Sequence, residues 1–174
     1  MKVVLGVCAG IAAYKATFLV RSFKEAGHDV TVIPTETSYR FVAKATWEAL
    51  SGNKVTSDIF EDVEQVKHVS IAQEADLIVV APATANFLAE TRMGLAKDLL
   101  GNTMLMASCP IVLAPAMHTE MWNNAATQEN IQVLTKRGMH ICGPATGRLT
   151  GADSGIGRME EAETIYNFAL KVVE

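Results

Sequence analysis

Ala75-Asp76-Leu77-Ile78-Val79-Val80-Ala81-Pro82-Ala83-Thr84-Ala85-Asn86 is the stretch that decides the fold. Leu77 to Ala81 is a short continuous apolar run, β-branched in its middle and closed by Pro82. Such a run predicts a strand buried on both faces, the usual state of a central parallel strand. Thr84 and Asn86 follow at once, a hydroxyl and a carboxamide where the next helix must begin. In open α/β sheets, ligands bind in the crevice beyond the carboxyl ends of the strands. His68 lies just upstream, ahead of the apolar Val69, Ile71 and Ala72. An imidazole, a hydroxyl and an amide are therefore expected at one end of one strand. A lone histidine in such a place is either an acid–base group or a satisfied structural residue, and its position favours neither outright.

Working outward, the same strand-to-helix grammar repeats. Val3 to Cys8 predicts a first strand, and the small residues Ala9-Gly10-Ile11-Ala12-Ala13 a tight turn into a helix reaching Glu25 and stopped by Ala26-Gly27. Small residues there allow close backbone approach, and helix N-terminal amides suit an anion. The turn lacks the G-x-G-x-x-G dinucleotide spacing. Asp29 to Ile33 predicts a second strand, followed by Thr35-Glu36-Thr37-Ser38. That cluster is either a helix N-cap or a holder of a phosphate or ribityl chain. Glu36 could meet a nucleotide ribose, but its hydroxyl-rich neighbours argue for a flavin-type contact. Ala43 to Ser51 predicts a helix with Trp47 in the core, broken at Gly52-Asn53-Lys54. Val55 to Val66 is mixed and acidic and is expected to be a mobile surface connection. A short helix from His68 then leads into the central strand.

Beyond Asn86 a helical pattern is interrupted by Thr91-Arg92-Met93-Gly94 and resumes from Leu95 to Met106, whose methionines are expected to fill core. Ile111 to Ala114 predicts a strand, stopped by Pro115 and followed by Ala116-Met117-His118-Thr119-Glu120-Met121-Trp122. Ala125 to Arg137 predicts a helix with Ile131, Val133 and Leu134 inward, ended by Gly138, and Met139 to Cys142 a last strand. Gly143 to Gly157 is glycine-rich and aperiodic, and a loop of that length is expected to be a lid. Glu160 to Val173 predicts a closing amphipathic helix. The alternation as a whole predicts an α/β fold: a single-domain, doubly wound, Rossmann-like parallel sheet of five or six strands flanked by helices.

Bulk properties narrow the function. The 174 residues are 49% hydrophobic, enough for one sizeable core, and the net charge of −4 with no basic stripe disfavours nucleic acid. No apolar run approaches the ~20 residues of a membrane span. The first apolar run ends in glycines rather than a cleavage site, so a strand fits it better than a signal peptide. Cys8, Cys109 and Cys142 are an odd set with no metal-like spacing, which favours a reduced, cytoplasmic setting and no metal. Acids are sparse at the strand ends and there is no P-loop, so a magnesium phosphotransferase is poorly supported. No nucleophile elbow is present. Four strand ends carrying small, hydroxyl or amide residues leave a cofactor enzyme with His68 as acid–base group.

Gly10-Ile11-Ala12-Ala13-Tyr14-Lys15, His68 with Ala75-Asp76, Ala81-Pro82-Ala83-Thr84-Ala85-Asn86 and Pro115-Ala116-Met117-His118-Thr119-Glu120-Met121-Trp122 together resemble the homo-oligomeric flavin-containing cysteine decarboxylases over nearly the whole chain. The last two stretches are similar to that family's PASANT and PxMNxxMW motifs. The resemblance implies an FMN-dependent carboxy-lyase converting 4′-phosphopantothenoylcysteine to 4′-phosphopantetheine in coenzyme A biosynthesis. It implies one flavin-binding decarboxylase domain over residues 1–174, with a lid at about 143–157. FMN phosphate and ribityl chain are placed near Ala9, Gly10, Ile11, Thr35 and Thr37, and the ring against Thr84, Ala85, Asn86 and Ala116. His68 takes the place of the catalytic histidine, and Asn86 would steady charge appearing during oxidation. Met117, His118, Trp122 and Arg148 would shape the substrate pocket. The implied partners are further copies of the chain, as a trimer or as trimers gathered into a dodecamer, and a ligase domain or protein.

Two departures stand out. His118 occupies the position of the family's motif asparagine, where a neutral imidazole still offers one donor and one acceptor. Gly151 occupies the position of the lid cysteine that protonates the intermediate; Cys142, Thr150 and Asp153 are the nearby substitutes. A chain without a proton donor would stop at oxidative decarboxylation of a peptide C-terminal cysteine. A non-catalytic flavoprotein regulating a partner is the remaining alternative.

Overall fold

The computed structural model describes residues 1–61 and 66–174. Its strands are β1 (Lys2–Val7), β2 (Asp29–Pro34), β3 (Leu77–Ala83), β4 (Ile111–Pro115) and β5 (His140–Ile141), forming a parallel sheet in the order β2-β1-β3-β4-β5. β3 is central and buried along its whole length, as a run apolar on both faces requires. Alternation divides the core cleanly. Val3, Leu5 and Val7 with Leu77, Val79 and Ala81 face one side, while Val4 with Ile78 and Val80 faces the other.

The first side is covered by α1 (Ala13–Glu25), α2 (Lys44–Ser51) and α8 (Ala162–Val173), which contribute Leu19, Phe23, Trp47, Ile165 and Ala169. The second is covered by α3 (Lys67–Glu74), α4 (Ala85–Met93), α5 (Leu99–Met106) and α7 (Ala125–Lys136), through Ile71, Leu88, Leu99, Leu100 and Leu134. A short α6 (Thr119–Asn123) joins β4 to α7. The expected doubly wound α/β sheet is thus present, with five strands. Among the described residues, no helix is long and apolar enough to cross a membrane.

Several boundaries and one whole element differ from the sequence expectation. Residues 143–157 are not an aperiodic loop, and Met139–Cys142 is not the last strand. β6 (Ala145–Arg148) and β7 (Ser154–Arg158) form a separate antiparallel hairpin. Glycine conceals the strand pattern because it supplies no side chain to alternate. The helix expected from Leu95 starts only at Leu99, because the Asp98 carboxylate accepts the Gly101 N–H at 2.8 Å and caps it there. Of its methionines, Met104 is core but Met106 is 44% exposed.

Val55 to Val66 is not a free surface connection in the part described. Val55 is fully buried, and the Ser57 hydroxyl donates to the Glu36 carboxylate at 2.6 Å. The remainder of that expectation, at residues 62–65, lies outside the described residues. Thr35 caps no helix with its side chain; a single 3-10 turn, Glu36–Arg40, follows it, held by the Ser38 hydroxyl donating to the Thr35 carbonyl at 2.7 Å.

Candidate active site

At the carboxyl ends of β1, β3 and β4 lies an open cleft of about 770 Å³. The order β2-β1-β3 reverses direction here, where doubly wound sheets leave a crevice. Ala9, Gly10, Ile11 and Ala12 form one wall, with Tyr14 and Lys15 from the first turn of α1. No side chain caps α1, and the Ala13 and Lys15 N–H groups donate to the Gly10 and Ala12 carbonyls at 3.0 and 2.9 Å, so the part turned to an outside acceptor is the Ala9–Ala12 turn ahead of the helix. Pro82, Thr84 and Ala85 form the second wall; the Thr84 hydroxyl accepts the Phe87 N–H at 3.2 Å and starts α4 beside the cleft. Ala116, Met117 and His118 form the third, with Met121 behind them.

The hairpin closes the remaining side with Arg148, Leu149, Thr150, Gly151, Gly157, Arg158 and Met159. It is fastened by main-chain atoms, the Met117 N–H donating to the Gly157 carbonyl at 2.9 Å. The Thr119 hydroxyl adds a bond to the Ile156 carbonyl at 2.7 Å. Gly157 sits at φ +135°, and a Cβ there would lie 2.1 Å from the Met117 oxygen, so only glycine fits. At the tip, Arg148 Nε donates to the Gly151 carbonyl at 2.8 Å.

The cleft's charge is one-sided. Among the described residues, Lys15, Arg148 and Arg158 line it and no carboxylate does. Lys15 is held from beneath, its Nζ donating to Glu161 at 3.0 Å, and Arg158 bonds the same carboxylate. Lys15 and Arg158 together keep the Glu161 carboxyl below its ordinary value. An anionic ligand suits this surface.

The structure gathers Ala9, Gly10, Ile11, Thr84, Ala85, Ala116, Met117, His118 and Arg148 around one cleft. Thr35, Thr37, His68, Asn86 and Trp122 are not on its wall. Thr37 and Asn86 are exposed, while Thr35, at the end of β2, has its hydroxyl buried without a partner. His68 stands in the first turn of α3 with Nδ1 buried and unpartnered. Sequence reasoning missed Lys15, Arg158 and Met159 as wall residues; the signal available was their position directly after the two glycine-containing turns.

Neither buried thiol serves the cleft. Burial pushes Cys8 up to about 12 and Cys142 up to about 11, and Cys142 packs in the core with Met159. No group of acids, histidines and cysteines able to hold a metal is present among the described residues. FMN suits what is here. The small-residue turn Ala9–Ala12 allows close main-chain approach by a phosphorylated chain, beside apolar wall for a flat ring, and off the wall, just past β2, the Thr35 hydroxyl is buried without a partner.

Compared with known proteins, residues 1–174 match the family model described as Flavoprotein. The chain is 56% identical over 173 residues to the coenzyme A biosynthesis bifunctional protein CoaBC of Mycolicibacterium smegmatis, covering 99% of this chain and 42% of that relative. It thus spans about two fifths of the length of the curated relatives it matches. Among solved structures, a PPC decarboxylase variant complexed with pantothenoylaminoethenethiol superposes with a TM-score of 0.88 at 29% identity, covering 98% of this chain and 96% of that one. The FMN-dependent cysteine decarboxylase SpaF superposes with a TM-score of 0.81 at 28% identity, covering 99% and 97%.

Proposed function

Since this chain belongs to the flavoprotein family, we propose that it binds FMN and decarboxylates 4′-phosphopantothenoylcysteine to 4′-phosphopantetheine in coenzyme A biosynthesis. The observation that carries this reading is near-complete superposition on a PPC decarboxylase that holds an ethenethiol. The net change loses carbon dioxide and takes up one proton at the same carbon, with no net oxidation.

The turn Ala9, Gly10 and Ile11 ahead of α1, with Thr35 and Thr37, would hold the phosphate and ribityl chain. Thr84, Ala85, Asn86 and Ala116 would lie against the ring. Bound FMN supplies reversible two-electron chemistry at the carbon bearing sulfur, which lets the carboxylate leave as carbon dioxide. His68 is the acid–base group that takes the thiol proton, and it acts in the cleft of a second copy of the chain, because it is off the wall of its own. This requires a homo-oligomer, a trimer or trimers gathered into a dodecamer. Arg148 offers charge to the substrate, and Met117, His118 and Trp122 bound its pocket. The hairpin at 145–158 acts as the lid. In the whole protein a ligase domain or partner protein would take the next or preceding step, and the setting is cytoplasmic.

The test is direct. A yellow preparation with a flavin spectrum is expected, and mixing it with 4′-phosphopantothenoylcysteine should yield a product lighter by carbon dioxide alone. A colourless protein that fails to take up FMN would refute the reading. A second reading, oxidative decarboxylation of a peptide ending in cysteine, is favoured by one observation: the lid tip carries Gly151 and no thiol lines the cleft. It predicts a product lighter by two further hydrogens from such a peptide.

A further inference from the structure

Resting on the decarboxylase reading, we propose that His118, facing Asp153 across the mouth of the cleft, is the acid that protonates the carbon vacated by the carboxylate. The need for such an acid is set by stoichiometry. Once carbon dioxide has gone, the substrate is an ethenethiol, the chemical type held by the PPC decarboxylase variant. Its double bond becomes saturated when the carbon beside sulfur receives a hydride and the carbon beside nitrogen receives a proton. Bound FMN would supply the two-electron chemistry for that hydride. The proton comes from His118: its N–H bond breaks, the electron pair of the carbon–carbon double bond forms the new C–H bond, and neutral imidazole is left behind to be reprotonated by solvent.

Elimination along the wall leads to the same residue. Arg148 and Arg158 keep their protons at any ordinary pH. Lys15 is tied to Glu161 and to the Met159 carbonyl. Tyr14 is a phenol, a side-chain type too weakly acidic for the task. The thiols of Cys8 and Cys142 are buried away from the wall. His118 is the one imidazole on the wall, and imidazole is the side-chain type suited to passing a proton near neutrality.

Geometry leaves the imidazole free for the task. His118 precedes α6 in extended backbone and makes no capping bond, so its ring is not engaged with the helix. Its side chain is 44% exposed, and Nδ1 stands 3.9 Å from Asp153 Oδ2 on the hairpin tip. That is too long for a hydrogen bond and within ion-pair reach of the ring when it carries its second proton. Among the described residues, the other charged groups at the cleft are Arg148 and Arg158 on the hairpin and Lys15 with its partner Glu161, while Glu120 is exposed two residues on in α6. Because both Arg148 and Asp153 ride on the hairpin, docking of the lid would bring the acid and its orienting carboxylate together.

The experiment uses the FMN-loaded chain and His118→Asn. The amide keeps a donor and an acceptor in the pocket but has no proton to give, and removing the ring removes no helix cap. With 4′-phosphopantothenoylcysteine, the wild type should yield the saturated thiol. His118→Asn should release carbon dioxide and accumulate the ethenethiol, two mass units lighter, with saturated thiol reduced about a hundredfold or more. Saturated thiol formed by the variant at the wild-type fraction overturns the proposal and leaves the decarboxylase reading intact. A wild-type chain that itself stops at the ethenethiol, or that loses no carbon dioxide, overturns both. Independently of turnover, titrating the FMN-free chain with 4′-phosphopantetheine should shift the His118 ring signals in the NMR spectrum; unmoved signals at saturation also overturn the proposal.

Discussion

Gly157→Ala should undock the hairpin while leaving the sheet intact. Alanine at φ +135° is strained by about 1–3 kcal/mol. Its Cβ would also lie 2.1 Å from the Met117 carbonyl oxygen, a main-chain atom that cannot rotate away. One chain must therefore retreat by about 1 Å to reach ordinary van der Waals separation. The Met117 N–H to Gly157 carbonyl bond, 2.9 Å long, does not survive that shift. Its loss adds about 1 kcal/mol, making the whole penalty about 2–4 kcal/mol against docking. Exchange of the Met117 amide should accelerate at least about thirtyfold, and FMN affinity should fall with it. The thermal midpoint should drop far less, because residues 145–157 contribute nothing to either core cluster. Gly155→Ala is the control. There the obstacle is the Thr119 hydroxyl, 2.3 Å away on a side chain that can turn, so the cost is about 1 kcal/mol for its bond to Ile156. Met117 amide protection within threefold of wild type in Gly157→Ala would refute the account of the hairpin's attachment.

Four further perturbations test the rest. His68→Asn should retain FMN and its yellow colour but lose decarboxylation by about 10²–10⁴-fold, read by product mass. Thr35→Val removes a buried hydroxyl that has no partner, so the FMN-free protein should be as stable or slightly more so, while FMN should bind about tenfold more weakly by fluorescence titration. Trp47→Ala empties a fully buried site and should cost about 3–5 kcal/mol in urea, whereas Trp47→Phe should cost much less because the indole N–H has no partner to lose. The Glu161 carboxyl is held below its ordinary 4.5, first by Lys15, so its contribution to stability is complete above that value and fades as pH falls through the lowered one. Glu161→Gln should therefore flatten the acid limb of a urea-midpoint profile, by an amount that solvent screening of this exposed pair keeps small.

The sheet was legible because burial on two faces leaves an unmistakable mark. Leu77–Ala81 is apolar without a break, and Pro82 and Pro115 punctuate the ends where the cleft opens. Trp47 and the helix ended by Gly52 were legible for the same reason, a strong apolar position followed by a residue able to adopt φ +74°. The hairpin was not. Gly147, Gly155 and Gly157 carry no pattern, and what selects them is the approach of Arg158, Thr119 and Met117, all distant along the chain or on the facing strand. Lys15 was hidden differently: it reads as a surface residue of α1, and only the fold brings Glu161, 146 positions away, beneath it. The separation of His68 from its own cleft was equally invisible, since sequence order places it one strand from Thr84 but says nothing of which side of α3 it occupies.

Because the join between Met117 and Gly157 is made by peptide atoms alone, it is blind to the identity of every side chain beyond it. Side chains in residues 149–153 other than Gly151, whose φ of +62° favours glycine, can consequently be changed without loosening the frame that carries them. A descendant of this chain could gain a thiol or another proton-bearing side chain there by changes confined to five positions, while the ends of its strands stayed as they are.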